Sequence, residues 1–480
     1  MSLREKTIKG VVWVFIETFV VKFLYFGALI LLARWLGPKE FGLIGMIALF
    51  IELGKVLSDS GMTSSLIRTE ELTEEDNSTV FIINLFMSLF VYSIVYLIAP
   101  LVSVFFEQPI LVQLIRVYGL VFIFIGLSAV HLAILTKEMN FSRITKISIP
   151  GIIIGVFVGL YLGYNNYSVW SIVWMYLTSE IIKTILLWIL SDWRPKLVFS
   201  KAKFKYHYAF GWKLMLASSI NIIFKNITNL LIGKYHSAST LGYFERSKQL
   251  SEYPSITFTS IISRVAYPLL CSLKNDQLRL EDTYKNLIKT SYFIIAPVML
   301  CIASLAEPLF LLFLGGEWLP AVPIFQILCL AKMLYPVHAF NLNILQVYGR
   351  SDLFLRLELI KKLIFIVSIA FAFQFGIFGL VWCSVFTSFT SLIVNLHYSG
   401  KLLRYPMLTQ FKDIIKIFFQ ALITALSMFF FINLRIFEGQ FLLQLIMASI
   451  AGSIFYLGIS YVNKESPLHI ALSFLKVRSI

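Results

Sequence analysis

The sequence predicts an all-α integral membrane protein with about fourteen transmembrane helices. Hydrophobic residues make up 58% of the 480 residues and charged residues only 14%, whereas a soluble chain carries about 25% charged residues. Long apolar runs recur along the whole chain, each near the roughly 20 residues that a helix needs to cross a bilayer. The length therefore indicates a bundle of helices in lipid rather than several soluble domains.

Each apolar run is predicted to be a helix, because backbone polar groups must be paired internally in lipid. The predicted spans are residues 10–33, 41–66, 79–105, 110–135, 143–163, 167–190, 209–233, 240–269, 290–313, 320–348, 357–376, 378–398, 411–434 and 440–462. With a cytoplasmic N-terminus, 27 lysines and arginines fall on the cytoplasmic side and 4 on the other. The positive-inside rule then predicts that both termini are cytoplasmic.

An internal repeat divides the chain. Val169-Trp170-Ser171 is echoed by Val381-Trp382-Cys383, and other pairs follow in the same order. Six spans separate the copies, so the sequence predicts two six-helix lobes of equal orientation with a binding site between them. The predicted divisions are an N-terminal lobe at 1–191, a basic cytoplasmic linker at 192–208, a C-terminal lobe at 209–400, and a region at 401–480 with the last two spans and a cytoplasmic tail.

The predicted linker is basic and carries interleaved apolar residues, namely Leu197, Phe199 and Phe204. One interpretation is an interfacial segment that touches anionic lipid. The other is a plain connecting loop whose charge follows the positive-inside rule. Both stay open at the level of the sequence.

Ten lysines and arginines lie deeper within the predicted spans. A charge at the bilayer centre costs about 2.5 kcal/mol or more, so such residues must face a cavity or pair internally. The candidates for a cationic cleft are Lys22, Lys55, Arg116, Lys225, Arg246 and Lys332. The acidic candidates, for pairing with these cations or for ion coupling, are Glu17, Glu52, Asp59 and Glu245.

The spacing between acids and bases along each helix separates the cations that have an acid nearby from those that do not. Glu52 lies three residues before Lys55 and Asp59 four residues after it, so all three share one helical face, which favours internal ion pairs. Lys22, Lys225 and Arg246 are less well matched with acids. Lys22 and Lys225 also occupy repeat-equivalent spans, so we predict that these three residues line the cleft.

Several motifs resemble the polysaccharide transporter family, the Wzx-like branch of the multidrug/oligosaccharidyl-lipid/polysaccharide flippase superfamily. They are GVVWVFIETF…LLARWLGPKEFGLIGM at 10–46, DSGMTSSLIR at 59–68, LIGKYHSASTLGYFERSKQL at 231–250, SRVAYPLLCSL at 263–273 and FLGGEWLPAVPIFQIL at 313–328. The branch that looks most similar exports colanic and teichuronic acids. The resemblance implies a V-shaped pseudo-twofold bundle in the bacterial cytoplasmic membrane, alternating access, and an undecaprenyl-pyrophosphate-linked oligosaccharide as substrate.

A cationic cleft suits that substrate, because a pyrophosphate accepts charge-assisted hydrogen bonds from ammonium and guanidinium groups. The expected partners are the lipid-linked oligosaccharide, membrane lipids and other polysaccharide-assembly proteins. The net charge of +15 is spread over short loops rather than gathered in one patch, so we expect no nucleic acid. We also expect no catalytic residue, metal or cofactor.

Two other functions compete with this interpretation. A cation-coupled multidrug exporter of the same superfamily is expected to carry an excess of intramembrane acids, whereas bases exceed acids here. An integral-membrane polysaccharide polymerase or glycosyltransferase is expected to have a large extramembrane loop, and the predicted loops are all short. A flippase therefore fits the sequence best.

Overall fold

The structure is a computed structural model, and it describes residues 3–433, 440–463 and 467–468. Every regular element within these ranges is helical. The helices form two compact units, Met1–Gly242 and Tyr243–Ile480. The predicted cytoplasmic tail beyond residue 468 lies outside the described residues. The all-α fold class is confirmed.

The first unit contains nine helices and the first residues of a tenth. They are α1 (Leu3–Leu36), α2 (Pro38–Asp59), α3 (Met62–Arg68), α4 (Glu74–Phe106), α5 (Leu111–Tyr118), α6 (Val121–Lys137), α7 (Phe141–Tyr164), α8 (Trp170–Leu190) and α9 (Lys201–Tyr235). α9 packs against α2, α3 and α4. The predicted linker therefore ends inside a helix, because the helical pattern of α9 extends eight residues before the apolar run at 209.

The second unit contains the rest of the chain, and the boundary falls inside α10. Its helices are α10 (Ala238–Ser272), α11 (Gln277–Ser304), α12 (Ala306–Phe313), α13 (Val322–Lys332), α14 (Tyr335–Val347), α15 (Ser351–Ala372), α16 (Gly376–Leu402), α17 (Met407–Asn433) and α18 (Phe441–Val462), with 3-10 turns at Gly316–Ala321 and Phe373–Phe375. α11 packs against α13 and α17, and α15 packs against α16.

Twelve helical stretches of the described chain are long and apolar enough to cross a membrane. One of them, Ser351–Leu402, contains both α15 and α16 and so covers two predicted spans. α10 is 35 residues long but is not among the twelve, because its many polar residues lower its hydropathy. The count of about fourteen spans is consistent with these helices and stays a prediction.

The predicted continuous span at 41–66 is wrong in one respect, since the helix breaks between α2 and α3. Ser60 and Gly61 take left-handed backbone angles, with φ of 51° and 67°. A side chain on Gly61 would also meet the backbone of Gly211 on α9. Glycine adopts this conformation without steric cost, so a close approach of two backbones produces the break.

Close packing in the first unit depends on small residues along α7. Gly151, Gly155 and Gly159 lie four residues apart on one face, and a Cβ atom on each would press against α8. Glycines at this spacing let two helix backbones approach closely in a membrane, where packing rather than water drives association. α1 packs on the same helix, so α7 connects α1 to α8.

The start of α4 anchors the beginning of α9. Thr73 and Asp76 form a capping box, in which each side chain bonds the backbone of the other. Asp76 is almost fully buried and accepts hydrogen bonds from Lys203 Nζ at 2.9 Å and His207 Nε2 at 3.0 Å. The second ring nitrogen of His207 shares a hydrogen bond of 2.8 Å with the hydroxyl of Ser65 on α3. These contacts join three helices through one buried carboxylate.

Candidate functional site

Lys225, on α9, pairs with an acid from another helix. Its ammonium donates to both carboxylate oxygens of Glu52, at 3.0 and 3.3 Å. The amide of Asn226 donates to the same carboxylate at 3.0 Å. The expectation that Lys225 is poorly matched with acids is therefore wrong, because the pair joins α2 to α9 and spacing within one helix does not reveal it.

The polar residues near Lys225 on α9 differ in exposure. Asn226 and Asn229 are buried, with 2% and 3% exposure, whereas Asn221 and Lys225 are exposed. The amide of Asn229 donates to Asn226 at 3.4 Å. Asn226 therefore connects the buried face of α9 to Glu52.

Lys55, one turn further along α2 from Glu52, has a different environment. Within the described part of the chain, no carboxylate lies within 4.0 Å of its ammonium. The ammonium lies 5.9 Å from the ring centre of Tyr118, and the nearby charges that act on it are Glu180, Lys183 and Glu52. The expected ion pairs of Lys55 with Glu52 and Asp59 do not form.

The acids near Lys55 have other partners. Glu180 pairs with Lys183 at 2.5 Å on α8, as the i, i+3 spacing predicts. Asp59 accepts a hydrogen bond from Thr63, across the break between α2 and α3. Glu52 is engaged by α9, so each of these three carboxylates has a partner other than Lys55.

Three tyrosines from three helices stack next to Lys55, whose ammonium lies over the ring of Tyr118. Tyr176 on α8 stacks on Tyr25 at 5.2 Å and on Tyr118 at 6.2 Å between ring centres. The i, i+3 spacing predicts the pair of Glu180 with Lys183, but neither these two residues nor the three tyrosines were predicted as site residues. The sequence signal for these residues was a polar residue every few positions along α8. Helices that are packed without forming a functional site show the same pattern.

The remaining first-unit candidates are on α1 and α5. Glu17 accepts a long hydrogen bond of 3.4 Å from the hydroxyl of Thr145, which links α1 to α7. The guanidinium of Arg116 covers the ring of Tyr96 at 4.0 Å. Lys22 is half-buried on α1.

The candidates of the second unit are mostly paired. Lys332 on α13 donates to Glu252 on α10 at 2.7 Å, and Glu245 pairs with Lys248 at 3.3 Å. Arg246 is 2% exposed and donates to the side chain of Gln249 at 2.6 Å. Arg246 is bound within its own helix, and removing the partner of a buried charge is strongly destabilising.

His338, on α14, is held between two residues of α16. Its ring nitrogens lie 3.1 Å from the hydroxyl of Ser388 and 3.1 Å from the amide of Asn395. Within the described ranges, no group of three or more His, Cys, Asp and Glu side chains could hold a metal ion. The four cysteines are unpaired.

The fold and its long apolar helices are those of a polytopic membrane protein. The fold resembles a solved lipid II flippase, MurJ in an inward closed conformation, with a TM-score of 0.71 and 19% identity over 95% of this chain and 100% of that one. An inward-facing multidrug resistance transporter of the MATE family gives a TM-score of 0.59 at 16% identity, over 82% and 98% of the two chains. These likenesses establish the fold alone.

The family follows from the sequence. A family model described as polysaccharide biosynthesis protein matches residues 31–323, and the chain belongs to this family. It is 26% identical over 376 residues to the lipopolysaccharide biosynthesis protein WzxC of Escherichia coli, covering 78% of this chain and 76% of that protein. It is 23% identical over 433 residues to the teichuronic acid biosynthesis protein TuaB of Bacillus subtilis, covering 88% of each. The resemblance to polysaccharide transporters is confirmed.

Proposed function

We propose that this transporter flips an undecaprenyl-pyrophosphate-linked oligosaccharide, the repeat unit of a polysaccharide, across the bacterial cytoplasmic membrane by alternating access. Its relatives supply two parts of this argument. A succinoglycan biosynthesis transport protein, ExoT of Rhizobium meliloti, is 22% identical over 454 residues, covering 93% of this chain. The fold is also that of a flippase named for lipid II.

The observation that supports this function most directly is the ammonium of Lys55. It lies in a membrane-spanning helix with no carboxylate within 4.0 Å in the described chain, and a bare charge there is expensive. An anionic substrate group that enters the first unit relieves this cost. A pyrophosphate fits because it accepts charge-assisted hydrogen bonds from ammonium groups.

Lys22 and Lys225 are the other proposed phosphate ligands of the first unit. The pair of Lys225 with Glu52 is accessible, with side-chain exposures of 56% and 36%. A phosphate oxygen can therefore replace Glu52 at the ammonium, while Asn226 continues to satisfy the carboxylate. We retain Arg116, Arg246 and Lys332 as further cations for the substrate, and Glu17, Glu52, Asp59 and Glu245 as groups for pairing or ion coupling.

The test measures polymer export in cells that lack their native transporter. Lys55→Gln is expected to lower substrate affinity about ten- to hundredfold, since a hydrogen bond to a charged group contributes about 1.5–3 kcal/mol. Lys55→Arg is expected to retain export, because it keeps the charge. Lys234→Gln makes the same chemical change at an ion pair with Glu107, whose side chain is 80% exposed, and serves as the control.

Membrane insertion is checked for every variant by fluorescence-detected gel filtration. Wild-type export by a normally inserted Lys55→Gln protein would remove Lys55 from the site. Loss of export in Lys234→Gln as well would indicate a general effect of lysine removal on folding. Binding of the purified protein to undecaprenyl-pyrophosphate oligosaccharide in nanodiscs separates substrate recognition from later steps of transport.

A further inference from the structure

Between α8 and α9, three consecutive apolar side chains point away from the protein. Leu197 is 100% exposed, Phe199 52% and Val198 39%. We call residues 197–199 the tip. Unlike the lipid-facing residues of the helices, the tip lies outside the membrane-spanning stretches, which end at Leu190 and resume at Lys201. It therefore has no hydrocarbon core around it to explain its composition.

Backbone hydrogen bonds on both sides of the tip hold it in place. The backbone N–H of Lys196 donates to the hydroxyl of Ser78 at 3.1 Å, and that of Ser200 donates to the hydroxyl of Thr79 at 3.0 Å. Ser200 then caps α9. The second turn of α4 thus fixes both ends of the tip, so its outward orientation is built into the fold.

Exposed lysines flank the tip on both sides. Lys196, Lys201 and Lys205 are exposed. Three acids lie near this segment. Glu74 and Asp76, at the start of α4, accept hydrogen bonds from Trp193 and from Lys203 and His207. Asp192 accepts a hydrogen bond of 2.8 Å from Arg143, and this contact lowers the pKa of the Asp192 carboxyl. Asp192 is therefore neutralised by Arg143 rather than by the three lysines, whose charge stays available.

We propose that the tip inserts into the headgroup region of the adjacent leaflet and that Lys196, Lys201 and Lys205 bind anionic phospholipid there. Apolar side chains flanked by lysines bind a membrane surface by burying apolar area and by attraction to anionic headgroups. The helix ends on both sides of the tip place it beside the bilayer surface. This inference does not depend on the proposed transport substrate.

The experiment uses the full-length protein in nanodiscs, with the environment-sensitive fluorophore NBD at a cysteine in place of Leu197. Cys271, the one exposed native cysteine, is changed to serine first. A matched control carries the label at Asn275, an exposed residue of the turn between α10 and α11. Lipids with a shallow doxyl group are expected to quench the label at 197 and to leave the label at 275 unquenched, and iodide in the water is expected to do the reverse.

The charge part of the proposal is tested with phosphatidylcholine nanodiscs, with and without phosphatidylglycerol. Quenching at 197 is expected to increase with phosphatidylglycerol and to lose this increase in the variant with Lys196, Lys201 and Lys205 all changed to Gln. Each lysine removed is expected to lower the preference for the anionic bilayer about fivefold. High salt is expected to weaken the same preference by screening.

Three results would overturn the proposal. Equal iodide quenching at 197 and 275 in both bilayers would show that the tip faces water. Equal lipid quenching with and without phosphatidylglycerol would remove anionic lipid as the ligand of the lysines. Protection of the label at 197 only after a cytosolic extract is added would assign the tip to a protein partner instead.

Discussion

The imidazole of His207 on α9 lies 3.0 Å from the carboxylate of Asp76 on α4, and both side chains are essentially excluded from solvent. The N–H at Nε2 donates to the carboxylate, since an ionised carboxylate only accepts hydrogen bonds. The same carboxylate also accepts hydrogen bonds from the backbone N–H of Thr73 and from the ammonium of Lys203. One acid therefore both caps α4 and fixes the beginning of α9.

His207→Ala is expected to destabilise the first unit, because it removes a hydrogen bond to a charged group and leaves the hydroxyl of Ser65 without its ring partner. The expected loss is about 1–3 kcal/mol, measured as a lower midpoint of thermal unfolding in detergent. His397→Ala, which replaces an exposed histidine of α16, is the control. Equal midpoints for wild type and His207→Ala would contradict a stabilising role for this contact.

Gly61→Ala is expected to be more harmful than Gly349→Ala. Both glycines have positive φ, 67° and 71°, and a left-handed backbone costs a residue with a side chain about 1–2 kcal/mol. Only at Gly61 does the added Cβ also press on another backbone, that of Gly211, whereas nothing lies within 4 Å at Gly349. Thermal midpoints of the two purified variants measure the difference, and equal losses would show that α3 and α9 separate without cost.

Exchanging the charges of Glu52 and Lys225 distinguishes a structural ion pair from a substrate ligand. The double variant Glu52→Lys, Lys225→Glu keeps an ion pair, so insertion and thermal stability are expected to stay close to wild type. Since the pair is partly exposed, it contributes at most about 1 kcal/mol to stability. Polymer export is nevertheless expected to fall, because the cation has moved from α9 to α2. Full export by the double variant would make the pair purely structural.

Reporter fusions test the proposed orientation. Fusions after residues 75, 200, 280, 355 and 405 are expected to read cytoplasmic, and fusions after 165, 237 and 316 external, as the distribution of lysines and arginines predicts. Residue 200 is decisive, since it lies within the densest basic cluster and immediately precedes α9. An external reading there would refute both the positions of the spans and the cytoplasmic N-terminus.

Composition and periodicity were enough to predict the class of protein and most of its helices. The bilayer explains this success, because a helix in lipid must pair its own backbone groups and be apolar over a fixed length. The same reasoning missed the break at Gly61. Whether an apolar run continues or turns there depends on the approach of Gly211, which lies 150 residues later in the chain.

The sequence by itself predicted which charged residues lie within the membrane, because hydropathy places each lysine and acid along a predicted span. Only the tertiary structure decided which of them are paired. Lys55 has acids at favourable spacing on its own helix and contacts neither, whereas Lys225 finds Glu52 on another helix. Long side chains on packed helices reach several neighbours, and the choice depends on the rotation and separation of those helices, which spacing along one chain does not encode.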